Sequence, residues 1–220
     1  MTPLQGSRRA GDADHSIHRV RQDAVSQYRT RLLEIVQRPS VLMHLPEKVQ
    51  LASGEWSSDF IDGKLAVADP DDFDLVGSAM FAAAHDAGVS EIDAVGGLVL
   101  GAAPFTFAVA RAARMRWFLI RKEPKGRGTN LWIEAGPITP GTRVMLVDDV
   151  VTKGGSIQQA YERVVDAGGK VVFATTLVDR GDLARRFFDE VGVPYTPMLT
   201  YEDLGIERVG GTPQRASTAS

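Results

Sequence analysis

The stretch VMLVDDVVTKGGSIQQA, Val144 to Ala160, constrains this chain more than any other. Four apolar residues lead into the adjacent acids Asp148 and Asp149. Thr152, Lys153, Gly154, Gly155 and Ser156 follow. Then Ile157, Ala160, Tyr161, Val164 and Val165 form a helical stripe that Gly168 and Gly169 stop. A short continuous apolar run reads as a strand buried on both faces, and the stripe reads as an amphipathic helix. Strand, polar turn and helix in that order predict one unit of a parallel sheet.

The same order recurs along the chain. Ala94–Val99 reads as a strand, Pro104–Arg114 as a helix and Trp117–Ile120 as a strand. Val171–Val178 is rich in β-formers, and Leu183–Glu190 reads as a short helix. Upstream, Val76, Ala79, Met80, Ala83, Ala84 and Ala87 form a stripe stopped by Gly88. Tyr28, Leu32, Ile35 and Val36 form another, limited by Pro39. Leu51–Leu65 mixes polar and apolar residues around Gly54 and Gly63, which suggests short strands or a loop-rich cap. The alternation predicts a central parallel sheet with helices on both faces. Ligands of such sheets sit beyond the carboxyl ends of the strands. Four polar or glycine-rich segments lie at such ends: the acidic pair, Gly101–Pro104, the loop opening at Arg121, and Asp179–Arg180.

Composition excludes several classes. There is no cysteine, so disulfides, zinc–thiolate sites and thiol nucleophiles are ruled out, and a reducing cytoplasm fits. The net charge of −3 points to neither nucleic acid nor an anionic membrane. The first twenty residues lack the apolar core of a secretory signal. The longest uncharged run, Ala94–Ala110, is short for a spanning helix and holds three glycines and Pro104. Residues 1–20 and 210–220 read as disordered extensions around one domain of residues 21–209. The four histidines show no ligand spacing.

The chemistry of the opening stretch follows from its parts. A helix N-terminus presents unpaired N–H groups and partial positive charge, and glycines let backbone close around an anion. A phosphate is the natural guest, although the loop alone also reads as a plain turn with Ser156 as N-cap. Two adjacent carboxylates would repel a phosphate. They make sense if the same ligand presents a vicinal diol, or a magnesium ion held directly or through water. Phosphate, diol and metal together describe a ribose 5-phosphate. Neither G-x-x-x-x-G-K-[ST] nor G-x-G-x-x-G occurs.

VMLVDDVVTKGGS resembles the 5-phosphoribosyl 1-diphosphate (PRPP) motif of type I phosphoribosyltransferases. Arg121-Lys122-Glu123-Pro124-Lys125 resembles the R-K-E-x-K loop opening of the orotate phosphoribosyltransferases. Gly128-Thr129, Trp132-Ile133-Glu134, the Leu51–Lys64 segment and Asp179-Arg180 match that family too. The resemblance spans about Leu51 to Arg180. It implies the type I phosphoribosyltransferase fold, with a small N-terminal hood formed by about residues 21–70. It implies transfer of phosphoribose from PRPP to orotate, giving orotidine 5′-phosphate and pyrophosphate in pyrimidine synthesis.

By the same resemblance, Arg121, Lys122, Lys125 and Arg127 neutralise the departing pyrophosphate, and Asp148 and Asp149 hold the ribose. PRPP is bound by Asp148 through Ser156, with Val150, Val151, Thr152, Lys153, Gly154 and Gly155, and by the backbone of Gly101, Ala102 and Ala103. Orotate is bound by Thr152, Arg180, Phe60 and Ile61. Arg180 can meet the orotate carboxylate in a two-pronged pair. Magnesium is the implied cofactor, held mainly through PRPP. A homodimer is implied, with loop 121–130 reaching the neighbouring site. The chain departs from the family where Arg127 replaces a His, Ala52 replaces a Lys found in some members, and Leu100-Gly101 replaces a Tyr-Lys. Arg127 keeps the cation but cannot act as acid or base near neutral pH. A transferase for another base, or a PRPP-binding regulator of the same fold, are the alternatives.

Overall fold

A computed structural model describes residues 28–124, 132–136 and 138–210. Its sheet has six strands: β3 (Ala94–Leu98), β4 (Arg116–Ile120), β5 (Ile133–Glu134), β6 (Arg143–Val151), β7 (Lys170–Asp179) and β8 (Leu199–Thr200). They run in the order β5-β4-β3-β6-β7-β8. All neighbours are parallel except the short edge strand β5, which lies antiparallel to β4. An antiparallel hairpin, β1 (Leu42–Gln50) with β2 (Trp56–Ile61), stands apart from this sheet as the hood.

The β6 sequence explains why helices must cover both faces. Successive strand residues point to opposite sides. Met145 and Val147 enter one core cluster, while Val144 and Leu146 enter the other. The first cluster is closed by α1 (residues 28–36), α2 (Pro70–Asp86) and α3 (Ala103–Ala113). The second is closed by α4 (Gly155–Asp166) and α5 (Leu183–Glu190). The helix α2 starts where Asp69 caps the Asp71 amide and Pro70 takes the first turn. A last short helix, α6 (Tyr201–Leu204), carries a capping box between Thr200 and Asp203.

Two differences from the sequence reading matter for the site. The strand holding the acids runs on to Val151, because β7 pairs with it from Asp148↔Thr176 to Val151↔Asp179. The acids therefore lie within a strand and not past its end. The hood strand β1 was not expected at all: Pro46 and the charged residues around it hide a strand whose register slips between His44 and Val49.

Candidate active site

The sheet has its topological switch between β3 and β6. From β3 the chain steps outward through β4 and β5, and from β6 it steps the other way. The connection after β3 covers one face with α3, and the connection after β6 covers the other with α4. The two strands part at their carboxyl ends, where β3 pairs with β6 only as far as Gly96↔Leu146. A crevice opens there, as the architecture dictates. It holds two adjoining lobes of about 340 and 430 Å3 that share Ser53, Lys122, Asp148, Val150, Thr152 and Ser156 as walls.

The paired acids occupy the floor. Being neighbours on a strand, they diverge. Asp148 is buried, and Asp149 is half-buried with its carboxylate against Gly101. A Cβ on Gly101 would lie 2.6 Å from Oδ1 of Asp149, and one on Gly63 would lie 2.9 Å from its Cβ. Two glycines thus make room for this acid, one at the end of β3 and one beneath the hood. The main chain is pinned as well: the Asp149 amide donates to Oδ1 of Asp148 at 3.0 Å, and Thr176 Oγ1 donates to the Asp149 carbonyl at 2.8 Å. Burial, followed by the nearby charge of Asp149, pushes the Asp148 carboxyl well above the usual carboxylate range, and Lys122 works against that rise.

The glycine turn reaches the second lobe as an open helix end. Gly154 takes a left-handed conformation, φ 79°, which a side chain rarely adopts. No side chain caps α4, and its first turn carries no acid. Ser156 lies inside the helix, so the plain-turn reading with Ser156 as cap does not hold. The end of α4 keeps uncompensated positive potential facing the cavity, which suits a phosphate. Thr152 through Ser156 all line this lobe, with Val151 and the unanticipated Gln159. Lys153 leans across the mouth to Glu55 of the hood turn, 3.0 Å away.

Among the expected cations, Lys122 lines both lobes. Arg121 instead pairs with Glu134 at 2.7 Å and donates to the Glu123 carbonyl at 3.3 Å. Lys125 and Arg127 lie outside the described residues. Helix α4 braces the base of this loop: Gln159 donates to the Lys122 carbonyl at 3.3 Å, and Arg163 sits 3.9 Å over the Trp132 ring. Gln159 and Arg163 carry no motif that would single them out in the sequence. Only their distance from the loop in space marks them.

The base-side residues also gather. Phe60, Ile61, Thr152 and Arg180 line the first lobe together with Gly101. Lys64 joins them, paired with Asp62 at 2.7 Å. Ala102 and Ala103 are buried behind Gly101, and their amides close the turn onto Leu98 and Leu100 at 3.3 Å. Arg180 is 1% exposed. It pairs with neither Asp179 nor Asp182. Its Nη1 donates to the Asp59 carbonyl at 2.8 Å, and its Nη2 donates to Ser57 Oγ at 3.0 Å and to the Glu207 carbonyl at 3.3 Å. Both terminal nitrogens are thus engaged by the hood and the C-terminal segment, while Nε and one N–H of Nη1 keep no partner among the described residues.

Comparison with known proteins places the chain in a family. The phosphoribosyl transferase domain matches residues 75–187. An orotate phosphoribosyltransferase of Rhodopirellula baltica is 35% identical over 166 residues, covering 71% of this chain and 85% of the relative. One from Methanothermobacter thermautotrophicus is 35% identical over 178 residues, covering 81% and 94%. Among solved structures, Mycobacterium tuberculosis orotate phosphoribosyltransferase in complex with Fe(III) dicitrate superposes with a TM-score of 0.68 at 33% identity, covering 81% of this chain and 99% of that one. The same enzyme in complex with PRPP gives 0.64 at 31% identity, covering 81% and 99%. At 35% identity over most of their length, and with a matching fold, these relatives settle the kinship: the chain belongs to the orotate phosphoribosyltransferase family of type I phosphoribosyltransferases.

Proposed function

We propose that the chain transfers the 5-phosphoribosyl group of PRPP to orotate, giving orotidine 5′-phosphate and pyrophosphate in the synthesis of pyrimidine nucleotides. One observation carries this reading. A phosphate-accepting helix end, a carboxylate pair suited to ribose hydroxyls and a cation, Lys122, face one crevice beneath an aromatic-edged hood. Relatives of this family are named for the reaction, and one was solved with PRPP.

The placement of these residues supports the following roles. The amides at the start of α4, with Thr152 and Ser156, receive the 5-phosphate. Asp148 and Asp149 accept hydrogen bonds from the ribose hydroxyls. Orotate enters the first lobe between Phe60, Ile61, Thr152 and Arg180. Its ring nitrogen attacks C1 of the ribose as the bond from C1 to the pyrophosphate oxygen breaks; the electron pair leaves with pyrophosphate, and the proton of that ring N–H is lost to the departing pyrophosphate or to water. Lys122 stabilises that leaving charge. Lys125 and Arg127 share this role.

No cluster of three or more potential ligands able to cage a metal is present among the described residues. The donor set is two adjacent carboxylates, one of them buried, which fits a magnesium ion held mostly by the oxygens of PRPP. Such an ion supplies charge neutralisation across the pyrophosphate. The homodimer is part of this reading: Arg121 is turned to Glu134, away from its own cavity, at the root of the loop that would reach a second subunit. No described helix is long and apolar enough to cross a membrane.

The deciding experiment is turnover with PRPP and magnesium, followed by loss of orotate absorbance, with uracil, adenine and hypoxanthine in parallel. Consumption of orotate alone is the expected result, and turnover of another base alone would overturn it. A second expectation concerns Asp149. Gly101→Ala should lower kcat/KM for PRPP by roughly tenfold to a hundredfold, because the added methyl displaces a carboxylate that must be placed within an ångström. Steady-state kinetics with PRPP varied at saturating orotate checks it.

A further inference from the structure

The chain after α6 has no role in the reading above, yet it touches the site at three points. Ile206 is anchored in the first core cluster. From there Glu207, Arg208, Val209 and Gly210 run across the outside of the crevice. The Glu207 carbonyl accepts from Nη2 of Arg180 at 3.3 Å, and the Val209 amide donates to the Arg180 carbonyl at 2.7 Å. Arg208 forms an ion pair with Asp182, two residues beyond Arg180. Gly210 takes φ 80°, and a Cβ there would lie 2.7 Å from the Thr152 carbonyl oxygen. Gly181 closes the junction from the other side: its Cβ would lie 2.5 Å from the Val209 oxygen and 2.8 Å from that of Thr152. Backbone from the phosphate turn, from the end of β7 and from this strap therefore meets with no space for a side chain.

We propose that Glu207–Gly210 is a positioning strap that sets Arg180 and Thr152, the two base-side contacts, in register with the phosphate cradle. The inference rests on the reading of Arg180 and Thr152 as orotate contacts. Its physical basis is that Arg180 cannot orient itself. The long side chain is fixed only by acceptors on other segments: two from the hood and one from the strap. Its main chain is fixed by Val209 on one side and by Val151, at 2.8 Å, on the other. The strap is in turn held at its root. The helix α6 is capped by Thr200, and Asp203 pairs with Arg29 of α1 at 2.7 Å. It is held at its far end by Arg208 on Asp182. The exposed contact of Lys48 with Glu207, 3.3 Å, adds little.

The test uses the full chain with Arg208→Ala, Arg208→Lys, Asp182→Ala, the Arg208→Ala/Asp182→Ala pair, and Gly210→Ala. Arg208→Ala and Gly210→Ala should raise KM for orotate by about tenfold, the range expected for a sub-ångström misplacement. Arg208→Ala should move KM for PRPP less than threefold and keep the thermal midpoint within a few degrees, whereas Gly210→Ala, whose methyl meets the Thr152 carbonyl, should also lower the midpoint. Arg208→Lys should recover most of the loss, and the double variant should be no worse than either single one. A uniform rise of both KM values, or no change in either, would overturn the strap. If Gly210→Ala fails to fold, the Arg208 and Asp182 variants alone decide. Calorimetric titration of each protein with orotidine 5′-phosphate separates this inference from the one beneath it. A wild-type chain that does not bind the nucleotide refutes the orotate reading. Wild-type and strap variants that bind it equally refute only the strap.

Discussion

Asp148→Asn is expected to cut kcat by at least about a hundredfold, the usual scale for losing a placed electrostatic group, while making the unliganded protein more stable. The two effects share one cause. Burial and the neighbouring Asp149 hold the Asp148 carboxyl well above its ordinary value of 3.8. A carboxyl raised in the native state binds more protons there than in the unfolded chain. Its contribution to stability is therefore full below pH 3.8 and is lost as the pH rises through the raised native value. Asn has no charge to lose and can still accept from the Asp149 amide. The stability gap between variant and wild type should widen with pH across that window and stay flat above it. Thermal unfolding from pH 4 to 8 reads the slope, and a gap that narrows as pH rises would contradict the account. A ligand hydroxyl or cation is what relieves this buried acid, so PRPP with magnesium should stabilise the wild type more than it stabilises the variant.

Arg180→Ala should lower kcat/KM for orotate by roughly a hundredfold to a thousandfold, with PRPP affinity unchanged within about threefold. A buried polar site left without its partner discriminates steeply. The same change should destabilise the fold by about 2–3 kcal/mol, because the Asp59 and Glu207 carbonyls and Ser57 Oγ all lose a donor at once. Arg180→Lys should recover little of either, since one ammonium cannot serve three acceptors and a ligand together. Orotate kinetics, PRPP calorimetry and denaturant unfolding check the three parts. Equal loss of orotate and PRPP binding would remove Arg180 from its assigned role.

The layered sheet was legible because its signals are local. The β3, α3, β4, α4, β7 and α5 segments each carry a periodic apolar pattern bounded by glycine or charge, and each forms within a residue or two of its expected span. The acidic pair and the glycine turn stood out because their chemistry is unusual for their position, and Lys122 because Arg121–Lys125 resembles a family loop. The rest depends on partners distant in sequence. Nothing in SSDF announces that its backbone and one hydroxyl receive an arginine from position 180. Nothing in ERVGG announces a strap. Backbone acceptors leave no residue-type signature, and β1 was obscured by Pro46 and its charged neighbours. The pairing of Lys153 with Glu55, and of Arg163 with Trp132, has no local signature and appears only when the fold brings these residues together.

The bond from Arg180 to the Asp59 carbonyl spans 121 positions, and the one to Glu207 spans 27. Such closures have a kinetic meaning. Contacts between distant segments form late, because the loop between them must first give up its freedom. The helix pairs and the inner strands can assemble from near neighbours, but the base lobe cannot exist until the first third of the chain meets the last. A nascent or truncated chain that ends before β7 would hold Phe60, Ile61 and Thr152 but lack Arg180, which ties the hood to the C-terminal segment. Base selection thus depends on contacts between segments far apart in sequence.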